Sequence, residues 1–116
     1  MKDFDAIRQR LREFAEARDW NQFHSPKNLS MALSVEVSEL LECFQWLTEE
    51  ESKSLSPKQM AAVIDEIADV QLYLIRLSDK LGVDILDAVE KKIEKNEAKY
   101  PADKVRGSSK KYNEYD

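Results

Sequence analysis

From Ser56 to Gly82 the sequence reads SPKQMAAVIDEIADVQLYLIRLSDKLG. Ser56 and Pro57 pair an N-cap with a proline at the first helical position, and Gly82 supplies a C-terminal stop, so the segment is predicted as one long helix. On a wheel turning ~100° per residue, with Glu66 at zero, Leu77, Val70, Val63, Leu81, Leu74 and Ile67 cover roughly 20° to 100°. Ile64, Ala68, Leu72 and Ile75 make most of the remaining surface apolar too. A helix apolar nearly all round is central to a fold or lies in a subunit interface. Whatever surrounds it must be built from the other 89 or so residues, which limits the choice sharply.

Those residues also read as helices. Phe4, Ile7, Leu11, Phe14 and Ala15 recur at helical spacing behind Asp3 as N-cap, and the first helix is expected to end near Arg18. DWNQFHSPK, residues 19–27, breaks the period and crowds Trp20, Phe23 and His24 into a short loop. Ser25 and Pro26 open a second helix expected to run to about Leu47. TEEESKSLS reads as a charged loop before the long helix, which is third in order. Asp84 caps a fourth helix that Pro101 stops. With Gly only 2 and Pro only 3, a turn-rich β architecture is disfavoured. The expected fold is all-α: a four-helix domain over residues 1–101, with a polar and flexible tail over 102–116.

Two acidic pairs stand out. In the second helix, Val37, Leu40, Leu41 and Phe44 are expected to face a core, while Glu36 and Glu39 lie at its margin beside Ala32, Cys43 and Trp46. In the third helix, Glu66 and Asp69 sit where little water is on offer. Burying four unpaired carboxylates costs several kcal/mol each unless they protonate or hold cations. The cations of these two helices, Lys27, Lys58, Arg76 and Lys80, lie near helix ends or on other faces. Two acidic pairs meeting across adjacent helices would form a four-carboxylate cage, whose hard oxygens select Mg²⁺, or Mn²⁺, over soft metals. A di-iron bundle normally needs Glu-x-x-His on two helices, and the chain has one histidine, His24, outside both pairs.

The order EVSE, a gap of 26 residues, then EIAD resembles the ExxE…ExxD signature of the MazG-like all-α nucleoside triphosphate pyrophosphohydrolases. RDWNQFHSPKNLSMAL, FQW, DVQLYL and KYP are similar to the dCTP pyrophosphatase branch of that family. The resemblance covers residues from about Phe14 to Tyr112. It implies a bundle completed by oligomerisation, as a dimer or homotetramer. It also implies a Mg²⁺-dependent hydrolase of nucleotide metabolism that cleaves dCTP or a modified dCTP between the α- and β-phosphates, giving the monophosphate and pyrophosphate. Glu36, Glu39, Glu66 and Asp69 match the metal ligands, and Glu36 or Glu39 is expected to orient or deprotonate the attacking water. Trp20, His24, Trp46 and Tyr73 match the nucleoside pocket, with Asn21, Gln22 and Phe23 in the same loop. The branch carries a histidine where this chain has Leu11, which weakens the expectation of strict dCTP selectivity. A dUTP or damaged-nucleotide substrate is the second enzymatic reading.

The residues support several of these assignments independently. Tyr73 follows Asp69 by four and Trp46 follows Glu39 by seven, so both aromatics are expected beside the acidic site, either as walls on which a base stacks or as plain core packing. In the fourth helix, Asn96 is a polar group on an apolar face, and Lys92, Lys99 and Lys104 are candidates for phosphate contacts. The net charge of −5 argues against nucleic acid as a partner. No apolar run approaches membrane-spanning length, MKDFDAIRQRLREF lacks the apolar stretch of a signal peptide, and the lone Cys43 makes no internal disulfide. These features lead to an expected cytoplasmic location. The rival class is a non-enzymatic four-helix oligomerisation or interaction module, in which the carboxylates merely set helix register.

Overall fold

The computed structural model describes residues 3–107, and among them every regular element is helical. Helix starts follow the sequence's own punctuation. Asp3 accepts from the Ala6 amide at 2.8 Å to open α1, Phe4–Ala17. Ser25 accepts from the Asn28 amide at 3.1 Å ahead of α2, Pro26–Glu42. Thr48 and Glu51 exchange a reciprocal cap around α3, Glu49–Ser52, so the stretch expected as a charged loop holds one helical turn. Ser56 and Gln59 repeat that cap at the start of α4, Pro57–Leu81, and Gly82 ends it in the left-handed conformation at φ 70°.

Two compact units divide after Gly82. In the first, α4 is the central element: α2 packs along it, and α1 packs against it as well. Among the described residues the buried apolar side chains are few, namely Ala15, Leu29, Val63 and Ile75. Many large apolar groups of α2 and α4 remain exposed, including Leu41, Ile64, Ile67 and Leu81 at 55–59%. This corrects the expected core: Val37 and Leu41 face outward within one chain, and Leu40 and Phe44 are only half-buried. The wheel identifies an apolar face but not the surface that covers it.

A second correction concerns the end of α2. It stops at Glu42 rather than Leu47, and residues 43–46 continue as tight turns with bonds such as Phe44 N–H to the Leu41 carbonyl at 2.9 Å. No glycine or proline marks that change, so the apolar period ran on past the helix. The second unit holds α5, Ile85–Lys99, capped by Asp84, and the short α6, Ala102–Val105. The tail expected as flexible from Ala102 therefore begins with a helical turn, and its residues 108–116, with Tyr112 among them, lie outside the described residues.

Candidate functional site

The packing of α2 on α4 brings three carboxylates together. One oxygen from each of Glu36, Glu39 and Glu66 lies within 4.8 Å of the others. Glu36 and Glu66 are half-buried, and in each the Oε2 atom is shut off from solvent without a hydrogen-bond partner. Among the described residues no salt bridge reaches any of the three. Burial first, then its neighbours Glu39 and Glu66, pushes the Glu36 carboxyl up to about 7. Burial also raises Glu66, with the negative charges of Glu39 and Asp69 adding to it. Orphaned buried acid oxygens at this spacing fit a divalent cation: it would neutralise like charges that otherwise repel, and its hard-oxygen preference matches the donor set.

Asp69, the fourth expected ligand, is placed differently. Its charge acts on Glu36 and Glu66, so it belongs to the same electrostatic cluster, but its oxygens are not among the three that converge. It lines an adjoining cavity of about 250 Å³ with Leu11, Phe14, Trp20, His24, Leu72, Tyr73 and Arg76. That cavity is walled by rings and aliphatic chains, with polar groups at a few points, as a small-molecule site is.

The loop predicted from DWNQFHSPK shapes this cavity. The chain leaves α1 through Asp19 at φ 53°, a left-handed conformation that Asp tolerates, and Trp20 N–H donates to the Ala15 carbonyl at 2.9 Å. Asn21–Phe23 form one 3₁₀ turn. Trp20 then meets Phe14 edge-on at 5.5 Å between ring centroids and His24 at 6.3 Å. The Asn28 side chain donates to the Phe23 carbonyl at 3.0 Å, tying the turn to α2.

Sequence reasoning missed the anchor of this turn, Arg76, which is 5% exposed. Its Nε donates to His24 Nδ1 at 3.2 Å, and a terminal nitrogen donates to Asn21 Oδ1. Asp79 lies 3.5 Å from the guanidinium and is itself gripped by Arg12 at 2.8 and 2.5 Å. Those contacts, with Arg12 foremost, hold the Asp79 carboxyl below its usual range. The signal was present: Asp69, Tyr73 and Arg76 follow 4, 3 spacing and share a helix face.

The structure brings Trp20, His24, Asp69 and Tyr73 to one cavity beside the Glu36–Glu39–Glu66 cluster's helices. Asn21 turns its side chain to Arg76, Gln22 donates to the Asp19 carbonyl at 3.0 Å, and Phe23 is 59% exposed. Trp46 falls beyond the end of α2 and is 86% exposed, so the seven-residue helical relation to Glu39 does not apply. Lys92, Asn96 and Lys99 lie on α5 and Lys104 on α6, in the second unit.

The MazG-like family matches residues 31–115. Over 110 residues the chain is 46% identical to dCTP pyrophosphatase 1 of Homo sapiens, an alignment covering 93% of this chain and 65% of that protein. It is 44% identical over 108 residues to dCTP pyrophosphatase 1 of Bos taurus, covering 91% of this chain and 64% of the relative. The chain thus spans just under two thirds of the length of the curated relatives it matches. Its fold matches the crystal structure of a pyrophosphatase from Archaeoglobus fulgidus with a TM-score of 0.81 at 41% identity, covering 87% of this chain and 94% of that one.

Proposed function

The chain belongs to the MazG-like family, and from that membership we propose that it is a nucleoside triphosphate pyrophosphohydrolase acting on dCTP or a modified dCTP. Water adds, the P–O–P bridge between the α- and β-phosphates breaks, and the products are the monophosphate and pyrophosphate. The observation that carries this reading is the convergence of Glu36, Glu39 and Glu66 with two buried acid oxygens left without partners. In a non-enzymatic module those oxygens would destabilise the fold with nothing gained, which weighs against the rival class.

Glu36, Glu39 and Glu66 would hold Mg²⁺ or Mn²⁺, with Asp69 adding charge from α4. When bound, the divalent ion supplies the positive charge that admits a triphosphate to an acidic cluster and stabilises its phosphoryl oxygens. The remaining work falls to the chain's own side chains. A glutamate of the α2 pair, Glu36 or Glu39, orients the attacking water and takes its proton at a carboxylate oxygen. Glu39 is the more exposed of the two and so has the freer access to water. Trp20, His24 and Tyr73 wall the cavity that receives the base, and stacking on an aromatic face contributes about 1–3 kcal/mol. Trp46, 86% exposed, is kept as a proposed contact of the substrate rather than a wall of this cavity.

The exposed apolar faces of α2 and α4 support assembly of two or four copies, since such surface is rare on a monomer. No helix among the described residues is long and apolar enough to cross a membrane, and Cys43 is a free thiol. The proposed setting is the cytoplasm. Incubation with dCTP and Mg²⁺, followed by ion-exchange separation of products, is expected to give equal amounts of dCMP and pyrophosphate. Formation of dCDP and orthophosphate, or no turnover of any nucleotide, would contradict the proposal.

A further inference from the structure

Arg76 lies about three turns along α4 from Glu66, and its polar atoms are engaged in three directions at once. Nε donates to His24 Nδ1, one terminal nitrogen to Asn21 Oδ1, and the other faces Asp79. A guanidinium carries donors only and stays protonated, so His24 Nδ1 must present its lone pair. A proton on Nδ1 would set N–H against N–H and charge against charge. Resting on the reading of a nucleotide hydrolase, the geometry points to Arg76 as a positioning residue for base recognition: it fixes His24 as a neutral ring with its proton on Nε2, a donor offered to the cavity beside Trp20 and Tyr73.

Burial, then the positive charges of Arg76 and Lys80, lowers the His24 pKa and so favours the neutral ring. With one nitrogen accepting from Arg76, the neutral ring has only Nε2 left to protonate. His24 and Arg76 both line the cavity, whose apolar walls include Leu11, Phe14 and Leu72. A volume of about 250 Å³ is below the usual range for drug-sized ligands and suits a single ring system. A hydrogen-bond donor at its edge selects a ring that offers an acceptor there, such as the ring nitrogen or keto oxygen of a pyrimidine. Arg76 also closes the 52-residue separation between α4 and the aromatic turn, so it sets where that donor stands as well as which tautomer it holds.

The chain has one histidine, so a long-range ¹H–¹⁵N correlation spectrum of the imidazole reads a single ring without assignment. Near neutral pH the wild-type protein is expected to show the neutral Nε2–H tautomer. Arg76→Met is expected to release it to a mixture of tautomers and to raise KM for dCTP by about tenfold, the weight of one hydrogen bond, with kcat little changed. His24→Gln, which keeps an amide donor at similar reach, should retain a lower KM than His24→Leu. A wild-type ring that is protonated, or that carries its proton on Nδ1, overturns the proposal, and so does an Arg76→Met protein with unchanged tautomer and KM. Should Arg76→Met fail to fold, the wild-type spectrum decides alone. If no nucleotide is hydrolysed, the functional reading fails, whereas the spectrum still tests the tautomer separately.

Discussion

Helix α4 carries two charged clusters about three turns apart, and they are built on opposite terms. At Glu66, three carboxylates converge with no cation among the described residues, and two acid oxygens are buried without a partner. At Arg76, the buried guanidinium meets His24, Asn21 and Asp79, and Asp79 in turn meets Arg12. Both clusters remove charge from water, which is costly in either case. Only the second offsets that cost within the protein. The contrast is between a charge saturated by partners among the described residues and a cluster in which two buried acid oxygens have none, the pattern expected where a ligand completes a site.

The largest effect is expected at Glu66. Glu66→Gln keeps the side-chain volume and removes one acid charge. It is expected to lower turnover by roughly two to three orders of magnitude, the scale for losing a group that stabilises transition-state charge. Its metal-free melting temperature should hold or rise, because one of three repelling carboxylates is gone. A protein with full activity would make the cluster structural. The opposite substitution is Asp79→Ala, which leaves Arg76 buried without its carboxylate. The Asp79 side chain is 9% exposed, and its loss is expected to cost about 3 kcal/mol in urea unfolding. Affinity for Mn²⁺ should not change with it. A parallel loss of metal binding would mean that the two clusters are one unit.

The smallest effect is in pH, and its sign differs between the clusters. The folded pKa of Glu36, about 7, lies above its ordinary 4.5. Below 4.5 both states hold the proton; between 4.5 and 7 the folded state keeps a proton that the unfolded chain releases. Metal-free stability is therefore lost as pH rises through that window. Asp79 is lowered from 3.8, so its contribution is present above that value and lost as pH falls below it. Unfolding midpoints of the metal-free wild type and Glu36→Gln across this range should diverge between pH 4.5 and 7. Parallel curves would mean that Glu36 carries no such repulsion in the folded protein.

Much of the fold was legible because it is decided locally. Asp3, Ser25–Pro26, Ser56–Pro57, Gly82 and Asp84 each start or stop a helix through neighbours within four residues. The acidic pairs were legible because helical period exposes a carboxylate at an apolar margin. The end of α2 was not, since Cys43–Trp46 keep an apolar pattern while the backbone tightens into turns. Asp69 was seen on the right face, and it both lines the cavity and acts by its charge on Glu36 and Glu66, a double placement that a wheel does not show. The Arg76–His24 contact joins residues 52 apart, a relation that no local period carries. Val37 and Leu41 were expected to face a core but are exposed, because helical period identifies an apolar face and not the surface that covers it.

If a divalent cation is what the Glu36–Glu39–Glu66 cluster is built to hold, the buried Glu36 and Glu66 oxygens that find no hydrogen-bond partner among the described residues gain one when it binds. Calorimetric titration of Mn²⁺ into metal-free wild-type protein and into Glu36→Gln tests it without reference to any substrate. Saturable binding is expected for the wild type, weakened by at least about tenfold in Glu36→Gln. Equal binding by the two proteins, or none by either, would contradict it.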